Sequence, residues 1–290
     1  MTGPVGVVGL GRMGAGMAIT LQRAGHAVRG FDIVPEARER AAASGLAVVD
    51  NLATLVAECP VLLASLPDDA VVTALVEGPG GILEGPAGRL LIDTSTIEPA
   101  TSRRLAASLE AAGHAMLDAP VSGGPAGAAA GTLTVMVGGH AQAVERARPV
   151  LDALAAKVVH VGDSGAGAVA KLANNLLCAA HLLTTGEAMR LAAAAGVAPE
   201  RVLEAVNAAS GRSAVSEVNM PRWILSGAFD SGFTMGLMRK DVRLAGRLAA
   251  ATAAELPLSR AVVELWATSA AALADDADFN RIAALPDREG

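Results

Sequence analysis

Val5-Gly6-Val7-Val8-Gly9-Leu10-Gly11-Arg12-Met13-Gly14 is the stretch on which the fold of this chain turns. A short apolar run of strand type ends in glycines spaced G-x-G-x-x-G. A helical pattern over residues 13–24 follows and stops near Gly25. A second apolar run, residues 27–32, ends at Asp32, eighteen residues past Gly14. Strand, glycine turn, helix and strand in that order describe a parallel pair with its crossover helix. Working outward, residues 35–44 read as a helix exposing Glu36, Arg38, Glu39 and Arg40. Further apolar runs stand at 61–66, 90–92, 115–117 and 133–137. Strands alternating with helices in this way specify an α/β fold: a doubly wound, mainly parallel sheet with helices on both faces. The last strands, near 132–138 and 157–161, leave room for an antiparallel member, which periodicity does not settle.

Past Gly162 the texture changes. One long Ala/Leu-rich helical pattern covers about 165–195 and stops at Gly196, with Pro199 just beyond. Further helical segments are expected at 199–208, 220–225, 239–255 and 259–273, with no strand pattern of comparable strength. The chain therefore divides into a dinucleotide-binding domain, 1–162, and an all-helical domain for substrate and oligomerisation, 163–290. The long helix is apolar all round, so it is expected to be buried between domains or subunits, and a homodimer or homotetramer follows.

Composition narrows the function. Of the 290 residues 52% are hydrophobic and only 2% aromatic, with no Tyr, so the core must be built from Ala, Val and Leu. The net charge of −6 comes from mixed signs with no Lys/Arg run, which argues against nucleic acid as a partner. Apolar runs such as 176–180 are shorter than the ~20 residues of a membrane span, so no membrane association is expected. The first apolar run, residues 5–9, reads as a core strand rather than as a secretory leader. Cys59 and Cys178 are far apart with no metal-ligand spacing. A reducing cytoplasm is the simple expectation, and no metal is called for.

The glycine turn reads as a Rossmann-type dinucleotide site; a glycine-rich strand–helix turn with no ligand is the other reading. Gly9 permits the tight turn, Gly11 lets backbone approach a pyrophosphate, and Gly14 lets the helix pack close to the sheet. Leu10, Arg12 and Met13 fill the rest of the turn, and the helix N-terminus offers N–H groups and a partial positive charge to the phosphates. A carboxylate at Asp32 accepts both ribose hydroxyls of NAD and repels the 2′-phosphate of NADP. Neither Ile33 nor Val34 offers that phosphate a positive charge. NAD is therefore the expected cofactor. Asp32 can also serve as a helix cap before Pro35.

The reacting groups are expected on Gly165-Ala166-Gly167-Ala168-Val169-Ala170-Lys171-Leu172-Ala173-Asn174-Asn175. Lys171 and Asn175 are one turn apart on a shared face, with Gly167 one turn before. Such a polar pair on an Ala/Leu helix makes sense at a cleft wall, although a lone surface Lys often lies over apolar neighbours. A second group is Asp118-Ala119-Pro120-Val121-Ser122-Gly123-Gly124-Pro125, placed at the sheet's carboxyl edge after a strand. Ser122 and the N–H groups of Gly123 and Gly124 can seat a substrate carboxylate. A plain tight turn between prolines is the other reading.

With these segments in view, the sequence resembles the beta-hydroxyacid dehydrogenase family, which includes 3-hydroxyisobutyrate dehydrogenase and tartronate semialdehyde reductase. The resemblance covers nearly the whole chain. It rests on Gly6 to Gly14, Asp118 to Thr134, Gly165 to Asn175, and Lys240-Asp241-Val242. It implies that Lys171 is the catalytic lysine, that Asn175, beside Asn174, orients substrate, and that Ser122, Gly123 and Gly124 bind a carboxylate. It further implies that Leu66, Pro67 and Thr96 line the cofactor and that Lys240 closes over the nicotinamide end. Asp68-Asp69 after Leu66-Pro67 departs from the family pattern and puts one minor cofactor contact in doubt. Asp241 reads as structural.

The implied chemistry is hydride transfer between a small 3-hydroxy acid and the nicotinamide, with Lys171 moving the hydroxyl proton. An ordinary lysine titrates near ~10.4, so that role calls for burial and a positive neighbour. 3-Hydroxyisobutyrate is the first expectation, because Phe233 to Met238 suggests a partly apolar pocket. Tartronate semialdehyde, threonate, serine and sulfolactaldehyde are alternatives. Imine reduction and a non-catalytic NAD-binding regulator are rivals of other kinds. The region 210–238 is expected to form the far wall, where Arg212 and Ser213 either meet a polar substrate tail or are solvated.

Overall fold

The computed structural model describes residues 3–285. The first unit opens with β1 (Val5–Val8), α1 (Arg12–Arg23), β2 (Val28–Phe31), α2 (Pro35–Ala43), β3 (Ala47–Val48), α3 (Leu52–Glu58) and β4 (Val61–Ala64). It continues with α4 (Asp69–Glu77), β5 (Leu90–Asp93), α5 (Pro99–Ala111), β6 (Ala115–Asp118), β7 (Val121–Ser122), α6 (Gly124–Ala130), β8 (Leu133–Gly138), α7 (Ala141–Leu154) and β9 (Ala155–Gly162). The sheet order is β3-β2-β1-β4-β5-β6-β8-β7, with β9 paired to β8. Strands β1 to β6 are parallel to one another. β8 runs antiparallel to β6 and to β7, and β9 runs parallel to β8.

Two cores explain why β1, β4 and β5 are buried at every position. Val7, Leu63, Ile92 and Leu117 face one side and pack with Met17 and Leu21 of α1 and Val144, Val150 and Leu151 of α7. Their neighbours Val8, Leu62, Leu91 and Met116 face the other side, against Leu55 of α3, Leu75 of α4 and Leu105 of α5. The period of two along each strand thus feeds two helical layers, which is why the strands read as unbroken apolar runs. Truncating such a residue, for instance Leu63→Ala, costs about 2–5 kcal/mol.

The chain continues as α8 (Ala166–Ala194), α9 (Pro199–Asn207), a π-helical segment (Val215–Ile224), α10 (Met235–Ala251) and α11 (Pro257–Thr268). The division between units falls inside α8: the first ends at Lys171 and the second begins at Leu172. The strand pattern stops near 162, but packing carries the first unit on through the opening turns of α8. Among the described residues α8 is the one helix long and apolar enough to cross a membrane by length and composition. It far exceeds the short apolar runs visible in the sequence. Ala179, Leu182 and Met189 of α8 are instead part of the second unit's core, with Leu203, Met235, Met238, Val242, Trp266 and Phe279. Trp266 is fully buried and its Nε1–H donates to the Ala179 carbonyl at 3.2 Å, which satisfies the ring's polar atom.

Three helical boundaries differ from the sequence pattern for local reasons. α10 starts at Met235 because Thr234 Oγ1 accepts from Leu237 N at 3.3 Å. α11 starts at Pro257, a residue suited to a first helical turn. The segment expected over 220–225 begins at Val215 and is wound as a π-helix, with Leu225 N donating to Met220 O at 2.8 Å. Pro221 inside it has no N–H to give an α-helical ladder. Met235 and Met238 lie in the core, at 0% and 2% exposure, whereas Leu237 between them is 40% exposed, so only part of the apolar stretch 233–238 is open. Ser213 is engaged with Ser216 through three hydrogen bonds at the start of the π-helix, whereas Arg212 is exposed.

Candidate active site

The nucleotide turn lies between β1 and α1. Gly9 has φ 87°, and a Cβ there would run into the carbonyl oxygen of Ser65. A Cβ on Gly14 would run into the carbonyl oxygen of Gly9. Both glycines are therefore required by the protein itself. Gly11 differs: its φ is −67°, and a Cβ would meet nothing within 4 Å. The space in front of Gly11 is open, as expected where backbone must approach a ligand. Leu10 is buried beneath the turn, Met13 is partly buried and Arg12 is exposed. The first turn of α1 carries no acidic residue, so its N–H groups and positive end remain suited to an anion.

Asp32 stands just past the end of β2 and holds this turn. Its Oδ2 accepts from Leu10 N at 2.7 Å and its Oδ1 from Val34 N at 2.9 Å. Each oxygen keeps acceptor capacity for a ribose hydroxyl. Arg38, which sequence reasoning noted only as an exposed helix charge, donates from Nη1 to the Asp32 carbonyl at 2.6 Å. Its guanidinium carbon stands 5.9 Å from the centre of the Phe31 ring. These residues fit a dinucleotide: a glycine turn with an open face, a free helix end and a carboxylate after the second strand.

The loops after β4 and β5 are stitched together. Leu66 N donates to Ser95 Oγ at 2.9 Å, and Ser95 N donates to Asp93 Oδ1 at 3.0 Å. Thr94 Oγ1 donates to the Ala64 carbonyl at 2.6 Å. Leu66, Pro67 and Thr96 therefore sit on adjoining loops at the carboxyl edge of the sheet. The Asp68-Asp69 departure has a structural cause. Asp68 caps α4 by accepting from Val71 N at 3.0 Å, and Asp69 accepts from Glu98 N at 2.9 Å. Asp93 is 1% exposed, and its Oδ2 makes no hydrogen bond. Burial pushes its carboxyl up to about 7, with hydrogen bonds from Ser95 opposing and the nearby charges of Asp118 and Asp69 adding.

At the end of β6, Asp118 is 3% exposed and accepts from Gly165 N at 2.7 Å and Ala168 N at 2.9 Å. Burial raises its carboxyl above the ordinary range, while those backbone N–H groups pull it back. Ser122 and Val121 form the short β7 against β8. Gly123 and Gly124 follow with φ 130° and 62°, conformations that favour glycine. Ser122 is half-buried and Gly123 is exposed, so both can be reached by a small molecule. Lys171 is 8% exposed on the second turn of α8.

In the second unit Asn175 is 5% exposed and Asn174 is exposed. Asn174 Nδ2 donates to Asn175 Oδ1 at 3.1 Å, and Asn175 Nδ2 donates to Asp241 Oδ2 at 2.6 Å. Asp241 is 2% exposed, so the asparagine amide is held by a buried carboxylate. Lys240 Nζ lies 3.3 Å from Asp241 Oδ1, an ion-pair distance without hydrogen-bond alignment. The structure thus joins Asn174, Asn175 and Lys240 through Asp241, the one member that sequence reasoning set aside as structural. Adjacency to Lys240 was the available signal; the partner 66 positions away was not visible.

Comparison with known proteins gives this arrangement a lineage. Residues 4–162 match the family of the NAD binding domain of 6-phosphogluconate dehydrogenase. Residues 165–285 match the family described as NAD-binding of NADP-dependent 3-hydroxyisobutyrate dehydrogenase. The chain is 39% identical to 3-hydroxyisobutyrate dehydrogenase of Pseudomonas aeruginosa, covering 96% of each protein. It is also 39% identical to the NAD-dependent L-serine dehydrogenase of the same species, over 90% of each. The solved structure of Mycobacterium tuberculosis 3-hydroxyisobutyrate dehydrogenase with L-serine superposes with a TM-score of 0.90 at 38% identity, covering 98% of both chains. Fold, nucleotide turn and relatives together define an NAD-dependent hydroxyacid oxidoreductase. The chain belongs to the beta-hydroxyacid dehydrogenase family.

Proposed function

We propose that this enzyme interconverts a small 3-hydroxy acid and its semialdehyde, with 3-hydroxyisobutyrate as the first candidate and L-serine as the second. The observation that carries the assignment of roles is the buried Lys171, held two turns into a helix whose start is fastened to the carboxyl end of β6. That is the edge of the sheet on which the nucleotide turn also lies, and ligands of such folds bind there. The relatives named for 3-hydroxyisobutyrate and L-serine support the choice of substrates.

In this reading Ser122 and the N–H groups of Gly123 and Gly124 seat the substrate carboxylate, which fixes the carbinol carbon. Asn175, with Asn174 beside it and Asp241 behind it, orients the substrate. Lys171 takes the hydroxyl proton during oxidation and returns it during reduction. Gly9, Leu10, Gly11, Arg12, Met13, Gly14 and Asp32 hold the dinucleotide, Leu66, Pro67 and Thr96 line it, and Lys240 closes its nicotinamide end. When bound, NAD supplies the acceptor for the hydride leaving the carbinol carbon. Asp32 favours NAD over NADP, because a 2′-phosphate would meet its carboxylate. Initial rates at 340 nm with NAD⁺ or NADP⁺ and a panel of 3-hydroxy acids test the reading. Turnover confined to cyclic imines, or tight NADH binding without turnover of any hydroxy acid, would overturn it.

A homodimer or homotetramer in a reducing, cytoplasmic setting completes the proposal. Leu177 and Leu191 of α8 are 59% and 72% exposed, and Leu258 and Leu265 of α11 are 84% and 50% exposed. So much apolar surface on the helical unit is what a protein contact covers. Among the described residues neither Cys59 nor Cys178 forms a disulfide. Light scattering after gel filtration measures the oligomeric state, and a monomer at micromolar concentration would count against this part.

A further inference from the structure

We propose that Asp118 is a positioning residue for Lys171: its carboxylate sets where α8 begins on the sheet edge, and so where the lysine amine stands. The inference rests on the reading of Lys171 given above. One Asp118 oxygen accepts from Gly165 N at 2.7 Å and the other from Ala168 N at 2.9 Å, so the carboxylate spans the first turn of the helix. Ala168 precedes Lys171 by three residues and Gly167 by four, which puts all three along one helical face.

The surroundings allow little adjustment. Gly138, the register partner of Asp118 on β8, faces the same carboxylate. A Cβ there would stand 2.6 Å and 2.7 Å from its two oxygens and 2.7 Å from Gly167 N. A Cβ on Gly167 would run into the carbonyl oxygens of Asp118 and Met136 and stand 2.9 Å from Gly138 N. Two strand ends, the carboxylate and the helix start are therefore packed with no room for a methyl group. An ordinary helix cap does not need this. Gly165, directly before α8, has no side chain with which to cap it, and Ser164 and Asp163 stand one and two positions further back. The carboxylate used instead comes from 47 positions away, on the end of β6. A local cap ends a helix; a cap borrowed from the sheet also fixes the helix in place. Because Lys171 is buried, its amine has few other rotamers by which to make up a displaced backbone.

The test is a double-mutant cycle with Asp118→Asn, which keeps the size but turns one acceptor into a donor facing an N–H. The expected result is a kcat lower by about 10–100-fold, with substrate KM and NADH affinity changed less than about threefold. In a Lys171→Ala background the same substitution is expected to change residual turnover by less than about threefold, because the group it positions is gone. Gly167→Ala, which disturbs the clamp from the helix side, is expected to show the same pattern. Unchanged kcat in Asp118→Asn overturns the proposal. So does a loss that multiplies fully in the Lys171→Ala background, or a failure of both clamp variants to fold, since either assigns the clamp to the fold alone. Wild-type turnover by Lys171→Ala would instead overturn the proton-transfer reading, which keeps the two failures distinct.

Discussion

The nucleotide turn of the first unit and the asparagine–aspartate pair of the second are held by different means. The turn is held by backbone: three glycines, a helix end, and Asp32 accepting from two N–H groups. Its constraints are local: Gly9 takes a conformation that favours glycine, and Gly14 has no room for a Cβ. The pair in the second unit is held by side chains: Asn174 to Asn175 to Asp241, on two helices 66 positions apart in the chain. Backbone sites of this kind lose ligand when they are altered. Side-chain sites are expected to lose orientation first, and rate before affinity.

The largest effect tests where the chemistry lies. Lys171→Ala is expected to lower kcat by about 10²–10⁴-fold, the range of general acid–base catalysis, while NADH fluorescence titration shows binding kept. Next in size, Gly14→Ala pushes a methyl group onto the Gly9 carbonyl. It should weaken NADH binding by about tenfold or more, because α1 must move off the turn that both shape. A Gly14→Ala enzyme that binds NADH like the wild type would break the backbone half of the comparison. Asp241→Ala leaves the Asn175 amide without its carboxylate. A kcat loss of about tenfold and a destabilisation of about 1–3 kcal/mol are expected, with NADH affinity kept. Equal losses of cofactor affinity and rate would break the side-chain half.

The smallest effect concerns pH. The Asp93 carboxyl is raised to about 7 in the folded chain, chiefly by burial. The folded state then holds this proton more tightly than the unfolded state does. The associated stability is present in full below the unfolded value near ~3.9 and is lost as pH rises through the folded value. Replacing Asp93 with Asn removes a titrating group at nearly constant size. Thermal unfolding at about pH 5 and pH 8 is expected to show the wild type losing a few °C more than Asp93→Asn over that interval. Parallel melting curves for the two proteins would show that Asp93 does not hold the proton.

How much of this was legible in the sequence follows from the same contrast. The glycine turn, Asp32, the all-buried strands and the long helix were legible because each depends on neighbours within one or two turns of chain. The Asp118 anchor on α8 and the Asp241 partner of Asn175 were not, because they pair residues brought together only by the fold. β7 spans two residues, too short for any period to show, and β9 adopts a pairing that periodicity left open. The π-helix was half visible. Pro221 signalled trouble for an α-helix, but the start at Val215 depends on the Ser213–Ser216 bonds. Phe233 to Met238 was legible only in part, because apolar composition does not distinguish an open wall from packed core. Met235 and Met238 are core, and Phe233 meets Phe279 edge-on with ring centres 5.2 Å apart.

One helix carries both Lys171 and Asn175 without a break, and its first turn is fastened to a strand end. Such a rod behaves as a screw thread whose head is fixed. Inserting or deleting a single residue between 168 and 174 would turn everything beyond it by roughly 100° and carry Asn175 off the face it shares with Lys171. This stretch should therefore accept many changes of letter and almost none of length.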